Sequence, residues 1–192
     1  EDDMIMPFIL LYQGIIDSLP AKKIMMPGVS INEGIAYAYA FEKGTLKPTH
    51  DFEEDVLSAS WAIAKRYGSY IPHLKALDKM SSQIFDAMKK YHGMGKRERL
   101  IVRSAAILHD CGKYISLSDE SNCSFSIIMS SEILGLTHKE RLMVAYIAAS
   151  NRHDIPKYDD VSGDFTKPEY MTILKLIAIL RVANAMDRSH KQ

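Results

Sequence analysis

The chain has 192 residues, with 24 Lys plus Arg against 24 Asp plus Glu, so its formal net charge is zero. No strongly basic face points to nucleic acid or to an acidic membrane surface, and only a local cluster could meet a polyanion. The longest apolar run, Met4 to Leu11, is interrupted by Pro7 and falls well short of the roughly 20 apolar residues that a membrane span requires. Two cysteines, Cys111 and Cys123, are too few for a disulfide framework and fit a reducing, cytoplasmic setting.

The chain opens Glu1-Asp2-Asp3 with no initiator methionine and no basic segment ahead of the apolar run, which reads as a cut inside a longer protein. From Met4 to Leu19 apolar residues recur at helical spacing and stop at Pro20. Ile24-Met25-Met26 reads as a short strand, and Pro27-Gly28 as a turn. Ser30 or Asn32 can cap a helix over Glu33 to Phe41 that ends at Lys43-Gly44. Residues 45–50, with Thr45, Pro48 and Thr49, have the composition of a linker. Beyond them the pattern is helical almost throughout, over 51–67, 73–91, 96–111, 124–135, 137–150 and 168–186. Asp51 suits the first N-cap, Pro168 suits the first turn of the last helix, and Gly68, Gly93 and Gly135 fall where helices should end. The loop from Asp154 to Lys167 is polar and acidic. The expected fold class is mainly α, a helical bundle over 51–192 preceded by a short α/β piece over 1–44.

Three His-Asp pairs occur in the chain: His50-Asp51, His109-Asp110 and His153-Asp154. The first lies at the linker, where Asp51 is explained as a cap, and the last opens the polar loop. His109-Asp110 differs because it follows Ser104-Ala105-Ala106-Ile107-Leu108, the apolar side of a core helix. An imidazole and a carboxylate at a buried helix end are costly to desolvate unless they are paired or bind a cation. Gly112 lets the chain turn sharply, and Lys113 stands where a cation could meet a phosphoryl oxygen. His73 opens one apolar helix and Asp187 closes another, so all four residues lie at helix ends. Each has a bland reading: a hydrogen-bonded core histidine, a helix-end aspartate, an exposed first-turn histidine, an exposed terminal residue. Jointly they make a metal site of two imidazoles and two carboxylates, a donor set that suits Mg, Mn, Fe, Co, Ni or Zn. Two other groups have ordinary explanations. Lys96-Arg97-Glu98-Arg99 with Arg103 reads as a solvated helix start rather than a phosphate site, and Met25, Met26, Met80 and Met88 read as core fillers.

The order His73, His109-Asp110, Asp187 resembles the signature of HD domains, in which a metal polarises water or phosphate for phosphoester or phosphoanhydride hydrolysis. Ala105 to Ile115 (AAILHDCGKYI) and Ile177 to His190 (IAILRVANAMDRSH) resemble two segments from the C-terminal region of the exopolyphosphatase/guanosine pentaphosphate phosphohydrolase family. Ile24 to Ile35 resembles the close of that family's second actin-like lobe. The resemblance implies the tail of an actin-like lobe over 1–44, a linker over 45–50 and an HD domain over 51–192. It implies a parent hydrolase acting on polyphosphate or a phosphorylated guanine nucleotide. The phosphate loops of its catalytic cleft would precede Glu1, so this piece alone should lack the main activity. It also implies one divalent metal on His73, His109, Asp110 and Asp187, catalytic roles for Asp110 and Lys113, and a homodimer, with no nucleic-acid or membrane partner. The alternative within the same resemblance is a non-catalytic module for dimerisation and polyphosphate guidance with a degenerate, empty site. Asn122, Phe125 and Asn151 stand where members often carry further histidines, which leaves ligands for one metal ion rather than two. His138 and His153 do not match those positions and are expected at the surface.

Overall fold

The computed structural model describes residues 5–20, 23, 25, 28–46, 51–151 and 154–187, with Glu42 described for its backbone only. Among them the chain is built from ten α-helices and one 3-10 turn, and no strand occurs. The strand expected at Ile24–Met26 falls on a stretch whose first and last residues lie outside the described set, as do His50 and His153. The chain divides into two compact units, 1–49 and 50–192.

The first unit contains α1 (Ile5–Asp17) and α2 (Ile31–Glu42). Ser30, rather than Asn32, caps α2, and its backbone N–H donates to the Glu33 carboxylate. The apolar side chains of α1, among them Phe8, Leu10, Leu11 and Tyr12, are exposed, with only Ile16 partly covered.

The second unit runs α3 (Phe52–Arg66), α4 (Ile71–Ala87), α5 (Lys89–His92), α6 (Lys96–Leu108), a 3-10 turn (Cys111–Tyr114), α7 (Glu120–Ser130), α8 (His138–Ala149), α9 (Tyr158–Val161) and α10 (Lys167–Met186). Asp51 caps α3 by accepting from Glu53 N–H at 2.9 Å. Gly68, Gly93 and Gly135 take positive φ at the turns where the pattern placed helix ends. The helix expected over 73–91 instead breaks at Met88, which is 45% exposed and so is not a core filler. The helix expected from 124 begins at Glu120 and ends at Ser130, and the acidic loop contains the single turn α9.

α6 is the central element, packed against α3, α4, α8 and α10. Its residues Leu100, Ile101, Val102 and Ser104 to Leu108 are all buried. The small side chains of Ser104, Ala105 and Ala106 let neighbouring helices approach closely, while α10 turns Ile173, Leu176, Ile177, Leu180 and Ala183 inward at helical spacing. A smaller apolar cluster of Ala64, Leu74 and Ile107, with Leu57, Ile71 and Trp61 against it, joins α3, α4 and α6.

The arginines at the start of α6 are committed to carboxylates on other helices. Arg97 forks onto Glu140, Arg99 onto Asp86 and Arg103 onto Asp78. Such bidentate pairs are directional, so they fix the start of α6 against α4 and α8. Each of the three guanidinium groups is thus already paired with a carboxylate.

Candidate metal centre

The ends of α4, α6 and α10 bring four of the expected residues to one region. His73 lies in the first turn of α4, behind Pro72. His109 is the C-cap of α6, Asp110 precedes the 3-10 turn, and Asp187 is the C-cap of α10. All four are buried, with residual exposures of 3% to 7%.

The imidazoles are held by different partners. His109 Nδ1 lies 2.9 Å from the Ala106 carbonyl, which can only accept, so Nδ1 carries a proton and Nε2 is the atom turned to the centre. His73 Nδ1 lies 2.5 Å from Asp187 Oδ2, and the two rings meet edge-on at a centroid distance of 5.4 Å. Burial, the largest influence on His73, pulls its pKa below the usual imidazole value in spite of the hydrogen bond it donates to Asp187. A neutral, ligand-competent ring is favoured.

Asp110 turns its two oxygens to different neighbours. Oδ1 is 3.0 Å from His109 Nε2, an atom that makes no hydrogen bond, and Oδ2 accepts from Lys113 Nζ at 2.7 Å. Burial alone would raise the Asp110 carboxyl pKa, yet the contacts with His109 and Lys113 hold it well below the usual carboxylate range. The carboxylate is therefore ionised and paired, not a lone buried charge.

Ligand atoms of His73, His109 and Asp110 all lie within 4.8 Å of one another, which fits a divalent cation. His109 Nε2 and Asp110 Oδ1, 3.0 Å apart, need positive charge between them, supplied either by a proton on Nε2 or by a cation. Asp187, expected as a fourth ligand, stands outside that group of atoms and holds His73 through Nδ1. This is the carboxylate–histidine arrangement that orients a metal-binding ring from behind.

Gly112 meets a different need from the one its position suggested. Its φ is not in the left-handed region, but a Cβ placed on it would lie 2.0 Å from Glu120 O and 2.4 Å from Ser124 N. It permits α7 to touch the 3-10 turn. Ser124 completes the contact by accepting from Gly112 N–H at 2.9 Å and donating to the His109 carbonyl at 3.1 Å. Sequence reasoning missed Ser124, because its helix also carries Ser121, Ser126 and Ser130 and nothing in the sequence singles out the one that is buried against the turn. The neighbouring Cys111 thiol is buried, which raises its pKa to about 11 and leaves it unreactive.

The positions aligned with further histidines carry side chains with other surroundings. Asn122 is exposed and donates to Asp119, whereas Phe125 packs against Tyr146 at a centroid distance of 5.0 Å. Both line a cleft of about 380 Å³ between α7, α8 and the loop that follows α8. Asn151 is buried at the end of α8, and neither atom of its amide has a hydrogen-bond partner. His138 is exposed, as expected.

No helix of the described residues is long and apolar enough to cross a membrane. No curated protein matches the chain closely enough to count as a relative. A family described as Ppx/GppA phosphatase, domain III, matches residues 60–192, which takes in every residue of the centre. The chain therefore belongs to the Ppx/GppA phosphatase family, its helical unit corresponding to domain III.

Proposed function

We propose that this chain is the C-terminal part of an exopolyphosphatase-like phosphohydrolase, and that its helical unit is an HD-type domain binding one divalent metal ion. His73, His109 and Asp110 supply the ligand atoms and Asp187 orients His73. The observation that carries the reading is the convergence of two buried imidazoles and a buried carboxylate within 4.8 Å. When bound, the metal would supply Lewis-acid polarisation of a phosphoryl oxygen. The chain's own residues do the rest: Ala106 O and Asp187 fix the two rings, while Lys113, 29% exposed beside Asp110, can meet an anionic oxygen.

In the parent protein the substrate class is a phosphoanhydride, either polyphosphate or a phosphorylated guanine nucleotide. Residues 1–44 are the tail of an actin-like lobe, 45–50 a linker, and the assembly a homodimer. A second reading, a dimerising and polyphosphate-guiding module whose site holds no metal, draws support from Lys113. Its ammonium already gives Asp110 a counter-charge.

The deciding experiment is elemental analysis of the purified chain, followed by Co²⁺ titration of wild type and Asp110→Asn. Near-stoichiometric metal lost on substitution supports the first reading, and no binding in either protein refutes it. Phosphate release from polyphosphate by this chain at a family-like rate would refute the assignment of the main activity to residues outside it.

A further inference from the structure

Asp110 is shared: Oδ1 faces His109 Nε2 at 3.0 Å, and Oδ2 is held by the Lys113 ammonium at 2.7 Å. The carboxylate side chain is 9% exposed and the Lys113 side chain 29%, so the ammonium sits on the solvent side of a buried anion. We propose that Lys113 couples metal binding to anion binding at this centre. Its charge weakens the pocket's hold on a divalent cation alone and strengthens that hold when a phosphate-class anion lies beside both cations. The inference rests on the metal reading above and adds to it a regulator and a ligand class.

Asp110 and Lys113 together sum to zero, so an ion that enters on the Oδ1 side meets a carboxylate already neutralised. Two cations would then share the Asp110 carboxylate, with the second buried carboxylate, Asp187, set on the His73 ring, and their repulsion is weakly screened where water is scarce. A phosphate-class anion bridging them turns that repulsion into attraction, which makes the two bindings mutually favourable.

A rival expectation has the opposite sign. A partner hydrogen-bonded behind a metal ligand ordinarily strengthens metal binding by orienting the ligand, and its loss costs about 10- to 100-fold in affinity. Such partners are usually carboxylates, carbonyls or waters. Lys113 instead brings a full positive charge, and Asp110 needs little orienting because it is fixed in the backbone between the end of α6 and the 3-10 turn.

The test is Mn²⁺ titration by calorimetry of the full chain as wild type, Lys113→Met, Lys113→Arg and His109→Ala, with and without inorganic phosphate. The association of Mn²⁺ with phosphate alone is measured separately and subtracted. Without phosphate, Lys113→Met is expected to bind Mn²⁺ at least about tenfold more tightly than wild type. Phosphate is expected to tighten Mn²⁺ binding about tenfold in wild type and Lys113→Arg, and less than about twofold in Lys113→Met. Unchanged or weaker binding by Lys113→Met, with binding still abolished in His109→Ala, overturns this inference and leaves the metal site standing. An equal effect of phosphate on wild type and Lys113→Met also overturns it. No Mn²⁺ binding by any of the proteins under either condition removes the metal reading and this inference together. Melting curves of Lys113→Met show whether it is folded, and Lys113→Arg keeps the charge in a folded chain if it is not.

Discussion

Replacing Asp187 by Ala tests the site without requiring metal or substrate. In the metal-free protein the Asp187 carboxylate accepts from His73 Nδ1, and the two side chains are 6% and 3% exposed. A buried hydrogen bond to a charged group contributes about 1.5–3 kcal/mol net, and deleting the acceptor also strands a buried donor. Relief of repulsion with Asp110 offsets little of this, because Lys113 already balances that carboxylate. The α10 cap itself is spared, since it uses the backbone N–H of residue 187. Asp187→Ala should therefore lose about 2 kcal/mol. For a unit of this size that lowers the melting temperature by roughly 4–8 °C. Asp187→Asn keeps an acceptor oxygen and should lose about 1 kcal/mol or less. Urea unfolding of the chelator-treated proteins, combined with His73→Phe in a double-mutant cycle, should give a coupling energy above about 1 kcal/mol. An Ala variant as stable as wild type, or additive single and double variants, would refute the account of the pair.

Gly112→Ala should destabilise the unit by more than about 3 kcal/mol, because the new methyl collides with backbone atoms of α7 and not with a side chain that can move. Chemical denaturation would show it, and near-wild-type stability would mean that α7 can retreat freely. Ser124→Ala should lose about 1–3 kcal/mol by leaving Gly112 N–H without its acceptor, with faster amide exchange at Gly112 as the specific sign. The Arg97 contact, ahead of the opposing burial and the Thr137 hydrogen bonds, lowers the Glu140 pKa to about 2. A carboxylate with a depressed folded pKa stabilises above its unfolded value, and that stability is lost as pH falls from about 4.5 towards 2. Glu140→Gln should therefore lower stability at pH 7 and flatten the acid limb of a melting-temperature profile. A parallel acid limb in variant and wild type would contradict the pairing.

The helical class and the gathering of four polar helix ends were legible because each rests on a local pattern. Apolar spacing marks the inward faces, and glycines with positive φ mark the ends. What stayed hidden depends on distant partners. Nothing near Arg97, Arg99 and Arg103 in sequence tells that Glu140, Asp86 and Asp78 will occupy them. Gly112 resembles a turn glycine, and only the approach of α7 shows that it is a contact glycine. The different stations of Asp110 and Asp187 were equally unreadable. Both carboxylates close helices, yet one faces the imidazoles directly and the other stands behind one of them. Met88 misled because a methionine in an apolar pattern gives no sign that its helix will break there.

The small apolar cluster between α3, α4 and α6 has a practical consequence, because it contains the only tryptophan of the chain. Trp61 packs against the cluster of Ala64, Leu74 and Ile107, in which Leu74 follows His73 and Ile107 lies two residues before His109. Its emission is therefore a built-in optical reporter on the two helices that deliver the imidazoles. A relative shift of α4 and α6 would change the wavelength, and a paramagnetic ion nearby would shorten the lifetime. Ligand binding can be followed at micromolar protein concentration with no label attached.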